Sequence, residues 1–167
     1  MSDAEDQTNQ ADPTEQAGSG DILGLPEPGP AYTLQQFPEK LAVVKLPAGA
    51  EIPSWTESSS LFSITATATE TSVVCAGRSV PTKVIAQRGL TAVAVQDALP
   101  NEQAGVLSTL LAPLAEEGIS IFTISTYDTN WILVPVSEAD RAADAWRRCG
   151  HTVAAAVPVK PPKKGKR

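Results

Sequence analysis

Residues 119–136 read ISIFTISTYDTNWILVPV, and this stretch decides the fold. Ile119, Ile121 and Thr123 alternate with Phe122 and Ile124, the two-residue period of a half-buried strand. Tyr127-Asp128-Thr129 supplies a polar turn, and Trp131–Val136 is the apolar return strand, so the stretch predicts a hairpin. Upstream, Leu90–Val95 (LTAVAV) has strand length and composition. Between these strands, Val106, Leu107, Leu110, Leu111 and Leu114 fall on one helical face, with Gly118 placed for a left-handed C-terminal cap. Pro113 interrupts that pattern by removing the bond its N–H would make to the Thr109 carbonyl, which predicts a kink near Thr109–Ala112.

Downstream, Ser137 with Asp140 three residues on is close to a capping box. The helix it opens buries Ala139, Ala142, Ala143 and Trp146 and wets Asp140, Arg141, Asp144, Arg147 and Arg148. Gly150 ends it, and His151–Val157 is a last short strand. The order from Leu90 is therefore βαββαβ. This predicts an α+β, ferredoxin-like unit, an antiparallel sheet with both helices on one face.

The preceding residues carry fainter copies of the same order. Leu41–Leu46 and Leu61–Thr67 read as strands, and Thr71–Cys75 as the hairpin partner of the second. Between the first two, Glu51–Trp55 has room for about one helical turn. The reading is a degenerate second unit. The expected divisions are an acidic disordered arm (1–33), the degenerate half (34–87), the complete unit (88–157) and a basic disordered tail (158–167).

The net charge of −6 combines an acid-rich start, a mildly acidic body and the Lys160–Arg167 tail. It speaks to solubility, and the body lacks the electrostatic footprint of a nucleic-acid binder. Nothing at the start reads as a signal peptide, and no apolar run reaches membrane-spanning length. Cys75 and Cys149 are then expected as free thiols in a reducing cytoplasm. With His151 as the single histidine, no metal-spaced ligand set, nucleophile motif or phosphate loop is legible, so no catalytic residue, metal or cofactor is expected. Trp131 and Trp146 read as core or interface aromatics, and His151 as an ordinary strand residue.

Gly105-Val106-Leu107, Ala112-Pro113-Leu114-Ala115, Gly118-Ile119-Ser120-Ile121 and Ser125–Asn130 form one ordered block. That block resembles the ACT domains of the CASTOR-type family, which includes animal arginine sensors and small bacterial proteins. The upstream runs Leu41–Leu46, Ile52–Trp55 and Glu70–Cys75 add to a likeness over roughly residues 40–155. The resemblance implies two ACT units per chain and a small amino acid held at a unit or dimer interface, in a homodimer that signals to a downstream protein. Carried over, the ligand-binding residues are Gln103, Ala104, Gly105 and Val106 at the helix start, and Thr126, Tyr127 and Asn130 in the turn. Ser120 and Ile121 would come from a partner unit's strand. Backbone N–H groups at a helix start suit a carboxylate, and hydroxyl and carbonyl oxygens suit an ammonium. Asn130 stands where the family has an acid, which removes a charge-assisted bond and disfavours a cationic ligand. The alternative is a ligand-free dimerisation or interaction module on the same fold, in which the turn residues serve only the turn. A nucleic-acid role for the basic tail is a third, weaker reading.

Overall fold

The computed structural model describes residues 29–57, 59–96 and 104–155. The expected arm up to residue 28, Gln103 and the tail from residue 156 lie outside the described residues. Among the described residues there are eight strands and two α-helices: β1 (Thr33–Gln36), β2 (Leu41–Pro47), β3 (Ser63–Ala66), β4 (Glu70–Ala76), β5 (Ala86–Val95), α1 (Val106–Glu116), β6 (Phe122–Ser125), β7 (Asn130–Pro135), α2 (Ala139–Arg148) and β8 (Thr152–Ala155). One sheet contains all the strands.

The second half has the expected βαββαβ order. β7 lies between β5 and β6, antiparallel to both, with Val93 opposite Ile132 and Thr123 opposite Ile132 on its other side. Side chains opposite one another share a face. One face of the sheet therefore presents Val93, Val95, Ile132 and Val134, and both helices pack on it through Val106, Leu110, Leu114, Ala142, Ala145 and Trp146. Trp146 is fully buried, and its Nε1–H donates to the Leu110 carbonyl at 2.8 Å, tying α2 to α1. Burying a ring of this size removes roughly 150–250 Å² from water, on the order of 4–6 kcal/mol. The other face carries Leu41, Leu90, Ala92 and Leu133, with Phe37, Ile124 and Trp131 packed against them.

The first half repeats the plan with its helices reduced to 3₁₀ turns at Ser54–Glu57 and Gly77–Ser79. Its strand order is β3-β4-β2-β5, all antiparallel. The start of β5 is thus the fourth strand of the first unit, and its end is the first strand of the second. Ala86–Arg88 pair with β2, whereas Leu90–Ala94 pair with β7. The changeover is a bulge: Leu41 faces Leu90 but Ala42 faces Arg88, leaving Gly89 as the extra residue. Gly89 has φ +71°, a left-handed conformation that glycine adopts without steric cost.

Several expectations change in the structure. The strand predicted at Leu90 starts at Ala86, because the polar stretch Ala86–Gly89 completes a different unit from the apolar one. A strand not anticipated, β1, lies antiparallel to β5 and parallel to β8, so β8 reaches the sheet through β1 rather than by pairing with β5. It makes this the one parallel pair among the described strands and brings Tyr32 and Leu34 into the helix-side core. The capping box at Ser137 is not made. Ser137 lies inside a 3₁₀ turn (Val136–Glu138), and α2 starts at Ala139 with no side-chain cap. α1 runs through Pro113 as one helix, with Pro113 itself on the buried face.

His151 precedes β8 rather than forming part of it, and it is buried. Its Nδ1 accepts the Tyr32 N–H at 3.2 Å, which leaves the proton of the neutral ring on Nε2. Burial holds its pKa below the usual imidazole value. Cys75 is buried and Cys149 exposed, both free, and burial pushes the Cys75 thiol up. No helix among the described residues is long and apolar enough to cross a membrane.

Candidate functional site

The residues singled out from sequence fall at two ends of the second unit. α1 begins after Gly105, which has φ +85° and makes no side-chain cap. The first bond into the helix start is that of Thr109, whose N–H and hydroxyl both donate to the Gly105 carbonyl at 3.0 Å. A helix start of this kind leaves the N–H groups of its first turn, here Val106–Ser108, without intrahelical acceptors. The partial positive charge of the helix dipole adds to them. Ala104 and Gly105 are exposed, while Val106 turns inward to the core that also holds Val95.

The β6–β7 turn stands at the same end of the sheet. Thr129 donates its hydroxyl to the carbonyl of Val95, the last residue of β5, at 2.7 Å. Within the turn, the Thr126 N–H and hydroxyl both donate to the Thr129 carbonyl, at 2.9 and 3.0 Å. The Ser125 hydroxyl donates to the Asn130 side-chain oxygen at 2.7 Å. Thr126 and Asn130 therefore rigidify the turn, and both keep lone pairs free to accept a further bond. Tyr127 projects into solvent, 82% exposed. The sequence places Thr129 in the turn but does not reveal its contact with Val95. Its partner lies 34 residues upstream, and no local pattern signals such a contact.

Ser120 and Ile121 do not join these residues within one chain. They follow α1, whose 11 residues span about 16 Å. Ser120 is exposed and Ile121 packs against the helix-side core. Among the described residues, no three His, Cys, Asp or Glu side chains gather closely enough to hold a metal ion.

Residues 85–148 match the ACT domain family. This stretch is an ACT domain. A second family, described as an N-terminal domain, matches residues 39–83, so the junction between the two matches falls at the start of β5. The ACT fold extends to solved structures. A protein from Agobacterium tumefaciens is 26% identical with a TM-score of 0.72, over 79% of this chain and 98% of that one. A Vibrio cholerae protein of unknown function, described as a possible transport protein, has 15% identity and a TM-score of 0.60, covering 71% and 90%. The regulatory subunit of aspartate kinase from Thermus flavus has 10% identity and a TM-score of 0.54, covering 72% and 99%. The last two establish likeness of fold. No curated protein matches the chain.

Proposed function

We propose that this chain is a non-catalytic regulatory module that binds a small, uncharged-side-chain amino acid between two copies of itself. One copy supplies the α1 start (Gln103, Ala104, Gly105, Val106) and the turn residues Thr126, Tyr127 and Asn130. The second supplies Ser120 and Ile121. The ligand carboxylate sits on the free N–H groups of α1, and its ammonium bonds hydroxyl and carbonyl oxygens of the turn. The observation that carries this reading is the uncapped start of α1 at the end of the sheet where Thr129 pins the turn to Val95. The separation of Ser120 from that end by the length of α1 is the reason for a second copy. Calorimetric titration with each proteinogenic amino acid, on protein shown by sedimentation to be a dimer, tests the proposal. Saturable binding of a neutral amino acid is expected, and a folded dimer that binds none of them refutes the sensing role.

One observation favours a second reading, a ligand-free dimerisation module: the Thr126 hydroxyl and Asn130 amide are both engaged inside the turn. Asn130→Asp would restore the acidic position. Gain of amino-acid binding by this variant, where the wild type has none, supports that reading.

A further inference from the structure

A separate cleft lies where the two units join, and the ACT reading leaves it unassigned. It encloses about 560 Å³ and is lined by Pro38, Glu39 and Lys40 from the β1–β2 link, Gly77 and Arg78 from the second 3₁₀ turn, and Arg88 and Gly89 at the β5 bulge. Both passages of the chain between the units, β1 to β2 and the shared strand β5, border it.

The charges around the cleft do not balance. Among the described residues that line it the one acid, Glu39, is already neutralised: one oxygen takes the Arg78 guanidinium, and the other accepts the Ser60 N–H at 2.6 Å and the Ser59 and Ser60 hydroxyls. Burial alone would raise this carboxyl, but the Ser60 bonds and Arg78 outweigh it and hold it below the usual range. Away from the cleft, four of the described basic residues are matched: Lys45 with Glu70, Arg141 with Glu117 and Glu138, Arg147 with Asp144, and Arg148 with Glu117. Among the described residues, Lys40, Lys83 and Arg88 are the basic side chains outside any ion pair, and two of these three line this cleft. In a chain of net charge −6, that local excess is not a consequence of composition.

Arg88 is also held in place. Its guanidinium donates to the carbonyls of Val80 at 3.0 Å, Pro81 at 2.7 Å and Val84 at 3.3 Å. Those bonds fix its position without neutralising it and leave donors of its five N–H groups for a further acceptor. The glycines add no Cβ to the cleft wall, and Lys40, which is exposed, supplies a second cation.

We propose that this cleft binds a small metabolite through an oxyanion group, a carboxylate or a phosphate, held between the fixed Arg88 guanidinium and the Lys40 ammonium. The volume is within the range of small-molecule sites and leaves room for the body of a metabolite beside the anion. Because the cleft is walled by both units, its occupant links them through the bulge at Gly89. The site is distinct from the α1 start, so its test is independent of amino-acid binding there.

The experiment is a titration of the full chain, followed by amide NMR shifts, with inorganic phosphate and separately with succinate at constant ionic strength. Saturable shifts centred on Lys40, Gly77, Arg88 and Gly89 are expected with at least one of the two, and the anion that gives them identifies the group recognised. Lys40→Gln should raise the apparent Kd roughly tenfold with its melting temperature unchanged, the loss of one charge-assisted contact, about 1.4 kcal/mol. Arg88→Lys, which keeps the charge but not the fork, should also weaken binding. Should that variant fail to fold, Lys40→Gln decides alone. Absence of saturable shifts with both anions, shifts reproduced by chloride, or wild-type affinity in Lys40→Gln would overturn the proposal.

Discussion

Replacing Gly89 tests whether one strand serves two units through a left-handed bulge. At φ +71° an L-residue meets its own carbonyl, a cost of roughly 1–2 kcal/mol. A Cβ built there meets no atom within 4 Å, so no packing clash adds to that cost. Gly89→Ala also removes freedom from the unfolded chain, returning roughly 0.4–1 kcal/mol. The expected net loss is about 1 kcal/mol. Gly89→Asn should lose less, because asparagine tolerates this region, and Gly89→Val should lose more than about 2 kcal/mol, because branching at Cβ makes it an outlier there. Gly77 provides a contrast. Its φ is ordinary, but a Cβ there would lie 3.2 Å from the Lys40 carbonyl oxygen, so at Gly77 the larger asparagine should cost more than alanine. Urea denaturation followed by fluorescence of Trp131 and Trp146 measures all five variants. The reasoning fails if Gly89→Ala is as stable as the wild type, or if alanine is better tolerated than asparagine at Gly89 as well.

Trp146→Ala should cost about 3–5 kcal/mol, as for a fully buried aromatic, and Trp146→Phe less, losing mainly ring volume and the bond to the Leu110 carbonyl; equilibrium unfolding checks both. His151 is held neutral in the fold, so its folded pKa lies below the unfolded value of 6.5. The unfolded chain therefore binds the proton first. Stability should be level above pH 6.5 and fall as pH drops below it, and melting curves of His151→Phe across the same range should lack this slope. Glu39 is likewise lowered, from 4.5, so its contribution is complete above that pH and is lost on further acidification. Glu39→Gln should then be less stable than the wild type at pH 7, with the difference narrowing below about pH 4 in pH-dependent urea unfolding.

The residues of the candidate site were legible to different degrees. Gly105 and the helix face from Val106 to Leu114 could be read because helical period and glycine placement are local properties. The turn could be located, but not the use of its side chains: whether Asn130 faces a ligand or its neighbour Ser125 depends on the conformation of the closed hairpin. The cleft at Lys40, Arg78 and Arg88 was invisible, since those positions belong to three segments with no common spacing.

Sequence alone determined the elements of the second unit, the buried alanine and tryptophan stripe of α2 and the hairpin of the first unit, because each follows from a period of two or 3.6 residues within one segment. Tertiary structure decided which strands meet. Thr33–Gln36 carries no strong pattern and becomes a strand because the gap between β5 and β8 offers hydrogen-bond partners on both sides. Ala86–Gly89 is polar and exposed along much of its length, and is a strand because β2 pairs with it. Pairing joins residues far apart in the chain, such as Thr33 with Thr152 and Gln36 with Ala155 between β1 and β8, and at that distance the backbone groups to be satisfied are set by the assembled sheet and not by the local run of side chains.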